Sequence, residues 1–401
     1  MSKKNRKWLV FTIMCLAYMP GSYAQYQLSV FAPELIQSFG LTTSQFSSLF
    51  TAPMIVAIFL SFVGGMISDK VGSKKVINIS FVIAGIGMIG RVFANSYMPF
   101  FLCMALTGFS NMFVNINASK ITASWFEQEK LGILMGIFAF CGQLPGAFAT
   151  ATTAVLFDSR TSAFIVSAIF CISVFVLWLL FVKDRPEDTM EEREKIDQEN
   201  QPSIGDSLKV VLSNKGIWLV SICIMMALGS MVTLSTFMPM ALQTMYGIDL
   251  KVCGTIASML TLGNCIGSIT GPIVFSKIKN VKVFVSGAAV LSFAGIIMCW
   301  RFPSIFVLHI LVLYTGIMLG ASMPIFLSAP VLLEGLGTKY AGSAAGVIST
   351  LQLLGAVLIP TYILTPIAGD NYSLLFMLAS ICMVIMFLCG LLLPQFGNNQ
   401  K

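Results

Sequence analysis

The feature that most constrains this chain is a succession of apolar runs, each about 20 residues or longer, separated by short polar links. A helix needs about 20 consecutive apolar residues to cross the hydrocarbon of a bilayer. The runs fall at 8–37, 44–67, 76–95, 97–125, 131–156 and 161–182, then at 215–245, 250–275, 282–300, 303–332, 340–366 and 371–393. They predict an all-α membrane protein with twelve transmembrane helices. Composition agrees: 57 % of the 401 residues are hydrophobic and only 10 % charged, too few to coat a soluble surface. The period-two alternation of a membrane barrel is absent.

The N-terminus imitates a secretion signal, with Lys3 to Lys7 basic, Trp8 to Met19 apolar and Ser22-Tyr23-Ala24 resembling a cleavage site. Cleavage there would cut the first run in half. The segment is therefore read as the first transmembrane helix, broken near Pro20-Gly21, where the proline removes a backbone donor.

The net charge of +7 is distributed by side, not as a nucleic-acid footprint. Nineteen of the 24 Lys and Arg residues fall in links or ends on one side of the predicted spans. Arg91, Arg160, Lys251 and Arg301 fall on the other and read as outer-surface charges, while Lys120 falls inside a span. Basic residues collect on the cytoplasmic side, so both termini are expected there, in a multi-pass cell-membrane protein. Residues 183–212 hold nine of the 17 acids, from Asp184 to Asp206. They read as a solvated cytoplasmic linker, partly a surface helix, between six-helix bundles at 1–182 and 213–401.

The two halves repeat. Leu28-Ser29-x-Phe31-x-Pro33-x-x-x-Gln37 recurs as Leu234-Ser235-x-Phe237-x-Pro239-x-x-x-Gln243, at an offset of 206 (234 − 28) that Gly65 and Gly271 share. Gln143 and Gly146 match Gln352 and Gly355 at 209 (352 − 143). Two parallel halves with a solute site between them are a common transporter plan.

Between the second and third spans the chain reads Gly65-Met66-Ile67-Ser68-Asp69-Lys70-Val71-Gly72-Ser73-Lys74-Lys75. A charged link this short must lie at a membrane surface. Gly65, Asp69, Lys70, Gly72, Lys74 and Lys75 together resemble the signature loop of the major facilitator superfamily. The resemblance implies two six-helix bundles working by alternating access, with this loop as a conformational latch. The chain departs from the proton-coupled drug carriers of that family. Met104 stands where their Arg precedes the glycine matching Gly108, Leu144-Pro145-Gly146 replaces Gly-Pro, and Phe275 replaces the second-half Asp. Trp125-Phe126 followed by Gly132 and Gly136 resembles the oxalate:formate, nitrate and organic-anion branches. Spans 8 and 11 lack the Arg and Lys of the oxalate carriers, which favours a monoanion or a neutral polar solute over a dianion.

Polar residues inside spans are costly unless they face water or each other, so they mark candidate substrate contacts. Span 4 is the richest place. Asn111 and Asn115 share a face at i,i+4, and Asn117 and Lys120 share another at i,i+3. Lys120 has two readings, attraction of an anion or snorkelling to the surface. Tyr23, Gln25, Tyr26 and Gln27 form a polar stretch of span 1, read as cavity wall. Gln143, Asn264, Tyr314 and Gln352 complete the set. Glu34 reads as an interface carboxylate, His309 as structural and Glu334 as the cytoplasmic end of span 10. The ten cysteines are scattered and read as reduced. With one histidine and no ligand-like spacing, neither a metal nor a cofactor is expected, and no intramembrane acid or nucleophile pair suggests an enzyme.

The expected function is a monomeric secondary transporter of a small organic solute, favouring a monoanion such as a carboxylate. Coupling to a proton or to a counter-transported anion stays open. Drug efflux and a transport-dead sensor of the same fold are the alternatives.

Overall fold

The computed structural model describes residues 3–126, 128–182, 204–302, 304–333 and 336–395. Among them every regular element is helical. Eleven helices are long and apolar enough to cross a membrane. The first helix, α1 (Lys3–Val30), has 28 residues, but its basic start and polar middle make it less apolar than the rest. It stands where the sequence placed the first span.

The helices form two compact units. The first holds α1, α2 (Ala32–Phe39), α3 (Thr43–Val71), α4 (Ser73–Phe93), α5 (Tyr97–Trp125), α6 (Gln128–Leu156) and α7 (Arg160–Phe181), with residues 249–254. The second holds α8 (Ile204–Ser213), α9 (Lys215–Tyr246), α10 (Leu250–Ile278) from Thr255 onward, α11 (Val281–Met298), α12 (Ile305–Ala321), α13 (Met323–Leu332), α14 (Gly337–Leu358), α15 (Thr365–Ala368) and α16 (Tyr372–Leu392). A π-helical turn, Ile359–Leu364, joins α14 to α15 and opens on Ile359-Pro360, where a proline without an N–H disfavours a regular α turn.

The units share a pairing pattern. In the first, α1 packs on α6 and α7, and α4 on α5 and α7. In the second, α9 packs on α14 and α16, and α11 on α12 and α16. The repeat glycines pack on the corresponding helix of each unit, at different levels along it. Gly146 lies against Tyr26 of α1, and Gly355 against the backbone of Met225 on α9.

Polar caps set the helix ends. Thr42 and Gln45 form a reciprocal capping box before α3, while Ser159, Asn214, Asn280 and Asn371 cap α7, α9, α11 and α16. Gly40 and Gly247 close α2 and α9 in left-handed geometry, φ 61° and 63°. On α2 and α7 an exposed cluster joins Arg160 to Glu34 at 3.4 Å and to the Ser38 hydroxyl at 2.8 Å, with its guanidinium 5.1 Å from the Phe39 ring centre.

Two expectations need correction. Span 1 is not broken near Pro20-Gly21: α1 runs through both residues and ends at Val30, shortly before Pro33. The same motif in the second unit does not end its helix, and α9 continues through Pro239 to Tyr246. Arg91 is not an outer-surface charge. It is 1 % exposed, and its apolar run turns it into the unit instead of out of it. Residues 204–212, placed in the linker, lie mostly in α8, which packs on α9 and α14. The rest of the acidic linker, 183–203, and Glu334 lie outside the described residues.

Candidate functional site

The polar middle of the first unit is built around α1. At mid-length α1 meets α5 and α6 closely because glycines remove the intervening side chains. A Cβ on Gly142 of α6 would overlap the Tyr18 ring, and one on Gly21 would strike the Asn111 side chain of α5 at 2.5 Å. Tyr18 stacks on Phe138, ring centres 4.8 Å apart. With its amide turned so that both ends are matched, Asn111 donates to the Tyr18 carbonyl and accepts from the backbone N–H and hydroxyl of Ser22, all at 3.1 Å. This amide lies across the turn that carries Pro20 and bonds backbone groups on either side of the proline.

One turn on, Tyr26 lies edge-on to Phe50 of α3, centres 5.4 Å apart, and against Gly146. Gln25 donates to the Phe50 carbonyl at 2.8 Å. Tyr23 faces Phe170 of α7 at 6.3 Å. Gln27 donates to the Ala163 carbonyl at 3.2 Å and accepts from Arg91 at 3.0 Å. Gln25 and Gln27, read from the sequence as cavity wall, are buried and bonded to neighbouring helices in this conformation. Tyr23 and Tyr26 stay half-buried.

The span 4 residues separate by face. Asn117 is buried, donating to Ser68 at 3.0 Å and to the Phe113 carbonyl at 2.8 Å. Asn115 and Lys120 are exposed, as is Gln143 beside Gly142 on α6. Exposed amides far from helix ends are costly against lipid. Nine residues separate Asn111 from Lys120, a rise of roughly 14 Å, so the two belong to different levels of α5.

In the second unit Asn264 is buried, its amide 3.7 Å from the Met231 sulfur. Tyr314 is half-buried and lies against Gly295 of α11. Gln352 is half-buried on α14. His309 bonds Thr255 at 3.3 Å and the Ile305 carbonyl at 2.8 Å, a packing role.

At the loop, α3 runs to Val71 and Gly72 turns the chain with φ 95° and ψ 136°, a conformation only glycine adopts without strain. Lys74 is half-buried and Lys75 exposed. The side chains at Gly65, Asp69 and Lys70 lie outside the described residues.

Sequence reasoning missed Tyr18, Ser22 and Arg91. Tyr18 and Ser22 had a usable signal in the glycines Gly21 and Gly142, which mark where helices come close. Among the described residues no group of three or more His, Cys, Asp or Glu could hold a metal.

The sequence pattern of the Major Facilitator Superfamily matches residues 10–360. A probable sulfoacetate transporter of Cupriavidus necator is 24 % identical over 85 % of this chain and 83 % of its own. A galacturonate transporter of Dickeya chrysanthemi is 22 % identical over 74 % of this chain and 90 % of its own. Among solved structures, a bacterial homologue of the human lysosomal transporter Spinster superposes with a TM-score of 0.77 at 13 % identity, over 98 % of this chain and 95 % of that one. That likeness shows the fold.

Proposed function

The chain belongs to the Major Facilitator Superfamily of secondary transporters, and we propose that it carries a small organic monoanion, such as a carboxylate, across the cell membrane by alternating access. The observation that carries the proposal is three exposed polar side chains in otherwise apolar spans, the amide of Asn115 and the ammonium of Lys120 on different faces of α5 and the amide of Gln143 on α6. An ammonium attracts a carboxylate over a long range and the amides fix its oxygens. Relatives named for sulfoacetate and galacturonate transport both handle acids, which supports an anionic cargo. Tyr23 and Tyr26 of α1, with Tyr314 and Gln352 of the second unit, are the further contacts of this reading. Gly65 to Lys75 is its latch, and the run of basic links supports cytoplasmic termini.

Uptake by proteoliposomes tests it. Labelled galacturonate, a monoanion, should enter, uncharged galactose should not, and preferred uptake of the dianion sulfoacetate would overturn the monoanion assignment. Lys120→Ala should lower apparent affinity for the anion roughly tenfold to a hundredfold, the loss of one charged hydrogen bond. Equal uptake by Lys120→Ala and Asn115→Ala would remove this site. Imposing a pH gradient or loading an internal anion separates proton coupling from exchange. Binding of an anion with no flux would identify a sensor, and efflux of lipophilic cations a drug carrier.

A further inference from the structure

Arg91 is the buried charge to which the transport reading assigns no task. It stands on α4, 1 % exposed. One terminal nitrogen donates to the Ala24 carbonyl of α1 at 3.0 Å and lies 3.9 Å from the Met104 sulfur. The other donates to Gln27 of α1 at 3.0 Å and to the Ser167 hydroxyl of α7. The guanidinium plane covers Phe164, 4.4 Å from its centre. Gln27 extends the contact to the Ala163 carbonyl of α7. Every one of these partners is neutral, and Nε has no hydrogen-bond partner among the described residues.

Burying a guanidinium without a counter-charge is expensive, and an aliphatic side chain would fill the same space without that cost. What the guanidinium adds is geometry. Its planar fork reaches oxygens on two helices at once, which a lysine cannot do as fully. Its own helix is firmly seated at this level, because a Cβ on Gly87 would strike the Cys103 carbonyl of α5 at 2.5 Å.

We propose that Arg91 is a positioning residue for transport: acting through Ala24 and Gln27, it sets the rotation and height of α1 and so the placement of Tyr23 and Tyr26. The assignment of Tyr23 and Tyr26 to the substrate path rests on the proposed function, whereas the effect on α1 does not. The test therefore has two arms, run on the full chain with Arg91→Lys, Arg91→Leu, Gln27→Leu and the Arg91→Leu/Gln27→Leu double variant.

The first arm needs no substrate. Amide hydrogen exchange over residues 20–30 should quicken about tenfold in Arg91→Leu and less in Arg91→Lys, while α11 and α16 stay unchanged. The double variant should quicken exchange by less than the sum of the two single effects, because the Arg91–Gln27 bond is lost in both. The second arm is uptake of galacturonate. Arg91→Leu should raise apparent KM about tenfold with Vmax nearly constant, and Arg91→Lys should recover part of it. Wild-type exchange over 20–30 in Arg91→Leu overturns the proposal, as does uniform loosening of the whole chain or a fall in Vmax at unchanged KM. If Arg91→Leu fails to fold, wild-type exchange and KM in Arg91→Lys overturn it. If wild-type protein does not take up galacturonate, the substrate assignment fails and the exchange arm still decides the role of Arg91 on α1.

Discussion

Asn111 and Asn115 are one helical turn apart and do different things. Spacing alone puts them on one stripe of α5 and invites a single role. Contact with α1 at Gly21 claims Asn111 for the backbone of Tyr18 and Ser22, while Asn115 stays exposed. Asn111→Ala would leave the Tyr18 carbonyl and Ser22 without that partner, at a cost of about 1–3 kcal/mol. The expected outcome is a lower melting temperature of the purified protein and faster amide exchange around residues 18–22. Unaltered melting would show that α1 bridges Pro20 without help. Arg91 teaches the same lesson from the other direction. A basic residue near the end of an apolar run reads as interfacial, yet Gly87 draws α4 against α5 and the side chain turns inward to α1 and α7.

At the scale of elements, small residues decide which helices touch backbone to backbone. On α10, Gly263, Gly267 and Gly271 face the backbone at Leu313, Ile317 and Ala321 of α12, and Gly316 and Gly320 of α12 face Leu260 and Asn264 in return. In a bilayer this close fit supplies packing that a hydrophobic drive cannot, since lipid is as apolar as leucine. A methyl group at Gly267 would overlap the Ile317 carbonyl. Gly267→Ala should therefore destabilise the second unit by about 1–3 kcal/mol, as overpacking does. Gly287 on α11 has open space where a Cβ would go. Gly287→Ala should be neutral or stabilise by about 0.5–1 kcal/mol through helix propensity. Thermal melts of the two variants read the contrast, and equal melting would refute the seam. The spacing of four was visible in the chain, but not which neighbour the glycines face.

For the whole molecule, the basic links support the proposed orientation, with both termini cytoplasmic. A fluorescent protein fused after Lys401 should fold and fluoresce in cells, and an alkaline phosphatase fused there should stay inactive, because only cytoplasmic ends give that pair of results. The reverse pair would invert the proposed topology. Twelve runs were legible, and eleven of them stand as long apolar helices with α1 as a more polar first member. The repeat pair Gly146 and Gly355 packs on α1 and α9, the first long helix of each unit, at different levels along it.

What the sequence by itself determined is the membrane class, the span positions and the family. Those depend on segment hydrophobicity and local turn chemistry, which are properties of a stretch of chain. What only the tertiary structure decided is the fate of each polar side chain. Gln25, Gln27, Asn111 and Asn117 are bonded to neighbouring helices, Asn115, Lys120 and Gln143 are accessible, and Arg91 is enclosed. The reason is physical: a polar group inside a bilayer must find a partner, and the identity of that partner depends on which helices glycine allows to come close.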